Sequence, residues 1–189
     1  PFAQVSGIKE TVFEEIGMGL ENLGVETEEM IQRILEISKM VNVEALLQKN
    51  PLALSGGQCQ RVAFASVLAL NSDIIVIDEP TSQLDPSSTN DVFEIISALK
   101  NQGKTVIIAE HKVDLLAEYC DEIIAMAEGR IIAQGDTREV LANPILREKG
   151  VRIPQTVSLA VNMEKEGMPL RNIPINKKEA IELLKEREG

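Results

Sequence analysis

After Thr11, apolar residues recur at helical spacing at Val12, Ile16, Leu20 and Leu23. Asn22-Leu23-Gly24 then closes that helix with a glycine stop. Thr27 reads as the N-cap of a second helix, with Glu28 and Glu29 in the first turn where the helix dipole favours acids. Met30, Ile31, Ile34, Leu35 and Ile37 give this helix an apolar face to about Met40. A short helix, Val43 to Gln48, ends before Asn50-Pro51, so residues 11–50 read as an all-helical subdomain. Ser55 is expected to cap a long helix through about Leu70. The period then changes. Ile74–Asp78 is an unbroken apolar run, the pattern of a strand covered on both faces. Asp85-Pro86 reads as an N-cap and first helical residue, opening a helix to about Asn101 that Gly103 breaks. Thr105–Ala109 is a second strand, Val113–Tyr119 a helix and Glu122–Ala127 a third strand. Glu128-Gly129-Arg130 turns into a fourth strand, Ile131–Gln134. Strand-helix-strand alternation from 74 to 126 predicts a parallel sheet and an α/β class. The tail holds a short capped helix, Thr137–Leu141, and then a proline-punctuated stretch after Pro144. That stretch contains a helix over Thr156–Glu166 and a last one over 177–188, where Asn176 and Glu179 stand at capping-box spacing.

Composition narrows the partners. The formal net charge is −11, which disfavours a nucleic-acid or anionic-membrane surface, since both call for clustered Lys and Arg. No apolar run approaches the roughly 20 residues that span a bilayer. Cys59 and Cys120 are isolated in sequence and read as reduced thiols of a cytosolic protein. Aromatics make up 3% of the 189 residues, so the core must be built from Ile, Leu, Val, Ala and Met.

Two segments carry the candidate chemistry. Ser55-Gly56-Gly57 opens a helix with a hydroxyl and backbone N–H groups that no Cβ obstructs. Such a terminus attracts phosphate oxygens, because unpaired donors and the helix dipole converge there. The bland alternative is an ordinary capped helix after a glycine turn. Asp78 and Glu79 stand where a strand ends. Asp78 there suits Mg²⁺ held through water, and Glu79 suits orienting or deprotonating an attacking water. The alternative is a solvated strand end. His111, the only histidine, follows the second strand; taken alone, a histidine is more often packing or surface than chemistry.

LSGGQCQRVA, Leu54 to Ala63, followed by IIVIDEP, Ile74 to Pro80, resembles the signature and Walker B motifs of the ATP-binding cassette (ABC) ATPases. SQLD, Ser82 to Asp85, resembles the D-loop, and TVIIAEH ends at His111 in the place of the switch histidine. The resemblance implies a partial RecA-like P-loop NTPase core, a parallel sheet with flanking helices, joined to the ABC helical subdomain and a C-terminal helical extension. It implies ATP and Mg²⁺ as cofactors. It also implies that Ser55, Gly56, Gly57 and Gln58 bind, in trans, the ATP held by an opposing subunit. Glu79 would be the catalytic base, His111 would contact the γ-phosphate, and Asp78 would hold the metal. Ser82 and Asp85 would lie at the dimer interface. The partners implied are a second ABC ATPase subunit or domain and transmembrane subunits, at the cytoplasmic face of the membrane. Cys59 stands where the family more often has a long polar residue. AQVSGIKETVFEEIGMGLENLGV and RIPQTVSLAVNMEKEGMPL resemble energy-coupling factor and cobalt-type importer ATPases. In that alignment Gln4 falls a few residues late for the Q-loop glutamine and is not assigned to the metal.

No GxxxxGK[ST] segment occurs in the 189 residues. The chain begins with Pro1, and the resemblance leads us to expect an N-terminally truncated cassette, inactive alone for lack of Walker A. In the family the P-loop strand would lie between 105–109 and 122–126. The expected parts are 1–70, with the helical subdomain and signature helix; 71–135, with Walker B, D-loop and switch histidine; and 136–189, the extension. The favoured function is ATP-driven solute import of metal-ion or vitamin type by a head-to-tail dimer. The rivals are a soluble ABC ATPase and a non-catalytic binding protein that keeps the signature.

Overall fold

The structure is a computed structural model that describes residues 5–82, 84 and 86–188. The chain forms two compact units, Pro1–Ala109 and Glu110–Gly189.

In the first unit Thr11 caps helix α1 (Val12–Asn22) through a full capping box with Glu14. The first α1 amides do not end in solvent: Val12 N–H donates to Lys49 O at 2.9 Å and Phe13 N–H to Leu47 O at 2.9 Å. Helix α2 (Thr27–Met40) starts one residue earlier than Thr27 as a cap would require. Glu26 is the cap residue; it makes no side-chain cap bond, and its carbonyl accepts the first intrahelical bond, from Met30 N–H. The predicted helix at 43–48 is a single 3-10 turn, Glu44–Leu46. A second such turn, Pro51–Ala53, is capped by Asn50 with proline at its first position. Helix α3 (Gly56–Ala69) follows Ser55 as predicted. Ile16, Leu20, Ile34, Val43, Val62 and Ala65 are fully buried in the shared core. The segment before α1 is held by a buried carboxylate: Glu15 accepts from both the N–H and the hydroxyl of Ser6.

Strand β1 (Ile74–Asp78) pairs in parallel with strand β2 (Thr105–Ala109), and helix α4 (Pro86–Asn101) connects them. The register runs from Ile74 opposite Thr105 to Asp78 opposite Ala109. Coverage of this sheet departs from the sequence expectation. Ile75, Ile77 and Val106 join the core that includes Ile95 and Leu99 of α4. Ile74, Val76 and Ile107 share the opposite face and are 61%, 70% and 53% exposed. An apolar run encodes which residues tolerate burial; it does not encode whether a second layer is there to bury them.

The second unit begins with helix α5 (Val113–Tyr119) and the antiparallel hairpin of β3 (Glu122–Ala127) and β4 (Arg130–Asp136). Glu128 and Gly129 both have positive φ, 50° and 72°, which is the two-residue turn that matches strand twist. Among the described residues β2 pairs only with β1 and β3 only with β4. Asp136 caps helix α6 (Thr137–Leu141), and buried Thr137 donates its hydroxyl to Cys120 O at 2.8 Å. Helix α7 (Pro144–Glu148), absent from the sequence reading, starts with proline after an Asn143 cap. Helix α8 (Gln155–Lys165) and helix α9 (Lys177–Glu188) complete the unit. Its core gathers Ala125 of β3, Val140 and Leu141 of α6, Leu146 of α7 and Val157 of α8.

The first half of the predicted capping box on α9 is present: Glu179 N–H donates to Asn176 Oδ1 at 3.0 Å. The Glu179 carboxylate also accepts from Ile175 N–H and from the Arg138 guanidinium. Partial burial pushes this carboxyl up, but the Arg138 and Ile175 hydrogen bonds, the Arg138 charge and the Asn176 amide together hold it below its ordinary value. A depressed folded value stabilises the fold above the unfolded value, and that stabilisation is lost as pH falls through the folded one. The unit should therefore lose stability on acidification below the ordinary Glu range. Glu179→Gln should remove that part of the pH slope, measured as thermal midpoint against pH.

Candidate functional site

Backbone geometry at Ser55 sets up the first half of the site. Leu54 and Ser55 are extended, and the chain turns into α3 at Gly56. Ser55 and Gln58 form a capping box: Gln58 N–H donates to Ser55 Oγ at 3.4 Å, and Ser55 N–H donates to Gln58 Oε1 at 3.0 Å. The next amide, of Cys59, is taken by Ser55 O at 2.8 Å. The N–H groups of Gly56 and Gly57 are the donors left for a ligand at this terminus. Ser55 and Gly56 are exposed and Gly57 is half-buried, so the approach is open. Gln58 is bound into the cap through its side-chain oxygen, a role that sequence alone did not assign to it.

The second half stands at the C-terminal end of the parallel strands, where α/β sheets place their ligands. Asp78 is the last residue of β1, exposed and opposite Ala109. Glu79 extends the pairing by one bond, its N–H donating to Ala109 O at 2.8 Å. Its backbone then swings to φ +46°, a left-handed conformation that is uncommon for a residue with a side chain. Ser82 N–H returns to Glu79 O at 3.2 Å and Leu84 N–H to Thr81 O at 3.3 Å, so the chain turns tightly after Glu79. Pro80 and Thr81 are buried in this turn, while Ser82 is exposed.

Asp78, Glu79, Ser82 and the start of α3 are all in the first unit. A Cβ placed on Gly57 would lie 3.7 Å from Leu84 Cδ2, which puts the turn at the start of α3 against the segment that follows Asp78 and Glu79. His111 belongs to the second unit; it is exposed, and its N–H donates to Glu110 Oε1 at 2.7 Å. Asp85 and Gln4 lie outside the described residues. Sequence reasoning missed Gln60, a buried amide on α3 that donates through Nε2 to the Pro80 carbonyl. The available signal was a polar residue in a helix that is otherwise buried at Val62, Ala65 and Leu68.

The family model described as ABC transporter matches residues 3–82. A putative ABC transporter ATP-binding protein of Pyrococcus horikoshii is 40% identical over 177 residues, covering 93% of this chain and 62% of the relative. The energy-coupling factor transporter ATP-binding protein EcfA3 of Oenococcus oeni is 35% identical over 188 residues, covering 98% of this chain and 65% of the relative. The structure of cbiO1 from Clostridium perfringens, described as part of the ABC transporter complex cbiONQ, superposes with a TM-score of 0.64 at 31% identity. That match covers 85% of this chain and 62% of cbiO1. The chain thus spans somewhat under two thirds of the length of these relatives. Residues 3–82 match the ABC transporter family, the chain is similar along 93% of its length to an ABC transporter ATP-binding protein, and its fold is the α/β fold of the ABC ATPase cassettes. Its relatives include energy-coupling factor transporter ATP-binding proteins. No helix among the described residues is long and apolar enough to cross a membrane.

Proposed function

We propose that these residues supply the signature, Walker B, D-loop and switch-histidine part of an ATPase that powers solute import, with metal ions or vitamins as the class of cargo. The observation that carries this is the pairing of two features on one unit: an exposed helix terminus with two amides open to phosphate, and a carboxylate pair at the end of parallel strands. The likeness to an energy-coupling factor transporter ATP-binding protein and to a part of the ABC transporter complex cbiONQ supports work in transport. ATP is sandwiched between two subunits arranged head to tail. Ser55, Gly56, Gly57 and Gln58 form the face that meets the nucleotide held by the other subunit. Exposure of Ser55 and Gly56 supports that use in trans.

The residues present fit the expected metal. Among the described residues no group of three or more His, Cys, Asp or Glu is placed to hold an ion. Mg²⁺ typically takes one or two carboxylates and completes its shell with phosphates and water, and Asp78, exposed at the end of β1, offers one such carboxylate. Asp78 is the carboxylate that would hold it, and the ion would neutralise charge on the phosphates. Glu79 accepts the proton of the attacking water or orients it, and His111 contacts the γ-phosphate. Ser82 and Asp85 line the contact between subunits. Transmembrane subunits dock on the surface of residues 1–25, a reading supported by Ile8 and Leu23, which are 79% and 66% exposed. The assembly works peripherally at the cytoplasmic face of the membrane and uses no nucleic acid, in keeping with a net charge of −11.

The GxxxxGK[ST] loop that completes the site is supplied by polypeptide outside these 189 residues. The test is ATP hydrolysis with Mg²⁺, measured for the chain alone and for its assembly with polypeptide carrying that loop. Phosphate release is expected only from the assembly. Turnover by the chain alone, or none from a folded assembly that binds ATP, refutes the reading.

A further inference from the structure

Gln60 is 7% exposed and reaches from α3 to the turn after β1, where its Nε2 donates to the Pro80 carbonyl. Its Oε1 is buried too and has no hydrogen-bond partner. A buried, unpaired amide oxygen is unfavourable, so stability alone would place Met or Leu here. The carbonyl it holds belongs to the residue after Glu79. Glu79 has φ +46°, and a following proline further restricts its backbone. A residue held in a sparsely populated conformation stays there when its surroundings over-determine it. Three hydrogen bonds do so here. Glu79 N–H to Ala109 O and Ser82 N–H to Glu79 O are local to the strand end and its turn. The third comes from Gln60, twenty residues earlier in the chain. Contact between Leu84 and Gly57 joins the same two segments at the start of α3.

We propose that Gln60 is a positioning residue: it ties the signature helix to the Walker B turn, so that phosphate at the start of α3 and the placement of Glu79 are coupled within one chain. The coupling to catalysis rests on the reading of Glu79 as base and of Gly56 and Gly57 as phosphate donors. The tether itself does not.

Gln60→Met keeps the volume and removes both amide atoms. It loses one hydrogen bond and relieves one buried unpaired oxygen, so its thermal midpoint should stay within about 3 °C of the parent. Amide hydrogen exchange across 79–84 in the chain itself should speed by about 10-fold or more, with Val62–Leu68 unchanged. In the ATP-hydrolysing assembly kcat should fall by about 10-fold while KM for ATP moves by less than about 2-fold, the split expected when a catalytic group is displaced but substrate binding is not. If Gln60→Met does not fold, Gln60→Asn carries the same readouts. Unchanged exchange, unchanged kcat, or unfolding of both variants overturns the proposal. Failure of the parent assembly to hydrolyse ATP would defeat the functional reading instead, while the exchange measurement still judges the tether.

Discussion

Glu79→Gln should lower ATP turnover of the assembled ATPase by at least ~10²-fold, the scale of a positioned general base. Gln matches Glu in volume and still accepts hydrogen bonds, so the backbone ties at Glu79 N–H and O remain. What is lost is a basic oxygen beside the water. ATP binding and ATP-driven association of subunits should survive, because neither uses that oxygen. Steady-state phosphate release and size-exclusion chromatography with ATP read the two properties separately. Near-parental turnover would remove Glu79 from the role assigned to it.

Gly57→Asp should have an equally large effect by a different route. A Cβ at Gly57 would stand 3.7 Å from Leu84, an ordinary contact, so the side chain fits. A carboxylate in the first turn of α3 also suits the helix dipole, worth about 0.3–1 kcal/mol. The fold should therefore be unharmed or slightly more stable. The same negative charge stands where phosphate oxygens would approach on the proposed reading. Turnover should drop by at least ~10²-fold, as when a donor to developing charge is removed. Association driven by ATP should disappear as well, unlike in Glu79→Gln. A Gly57→Asp protein that still associates with ATP would show that this helix terminus is not the phosphate contact.

Much of this arrangement was legible in the sequence because it rests on short-range rules. β1, β2, α5 and β3 fall on the predicted residues, since each is an unmixed period bounded by a charged residue or a breaker. Ser55 and Asn176 act as caps as read, because capping is decided within four residues. The helix at Pro144–Glu148 and the turn at Pro51–Ala53 were carried by the same kind of signal, Asn followed by proline, which reads equally well as a helix start or as a break. The positive φ of Glu79 had no local signal; bonds with Ala109 and Gln60, far away in the chain, hold the residues around it. Long-range hydrogen bonds of that kind have no period. The placement of Asp78 and Glu79 at a strand end was legible, whereas the bond that holds the turn beneath them was not.

Ile74, Val76 and Ile107 have one more effect, on how the molecule behaves in a tube. Aliphatic side chains aligned across paired strands make a greasy stripe that is already straight and already ordered. Two molecules meeting there give up little entropy, and water gains from the encounter. Self-contact through such a stripe grows with protein concentration, whereas the unit's internal packing does not. Turbidity on concentrating the chain would then report this surface and not a weak core. Mild detergent or a threonine at Val76 would clear the solution and leave the melting temperature where it was.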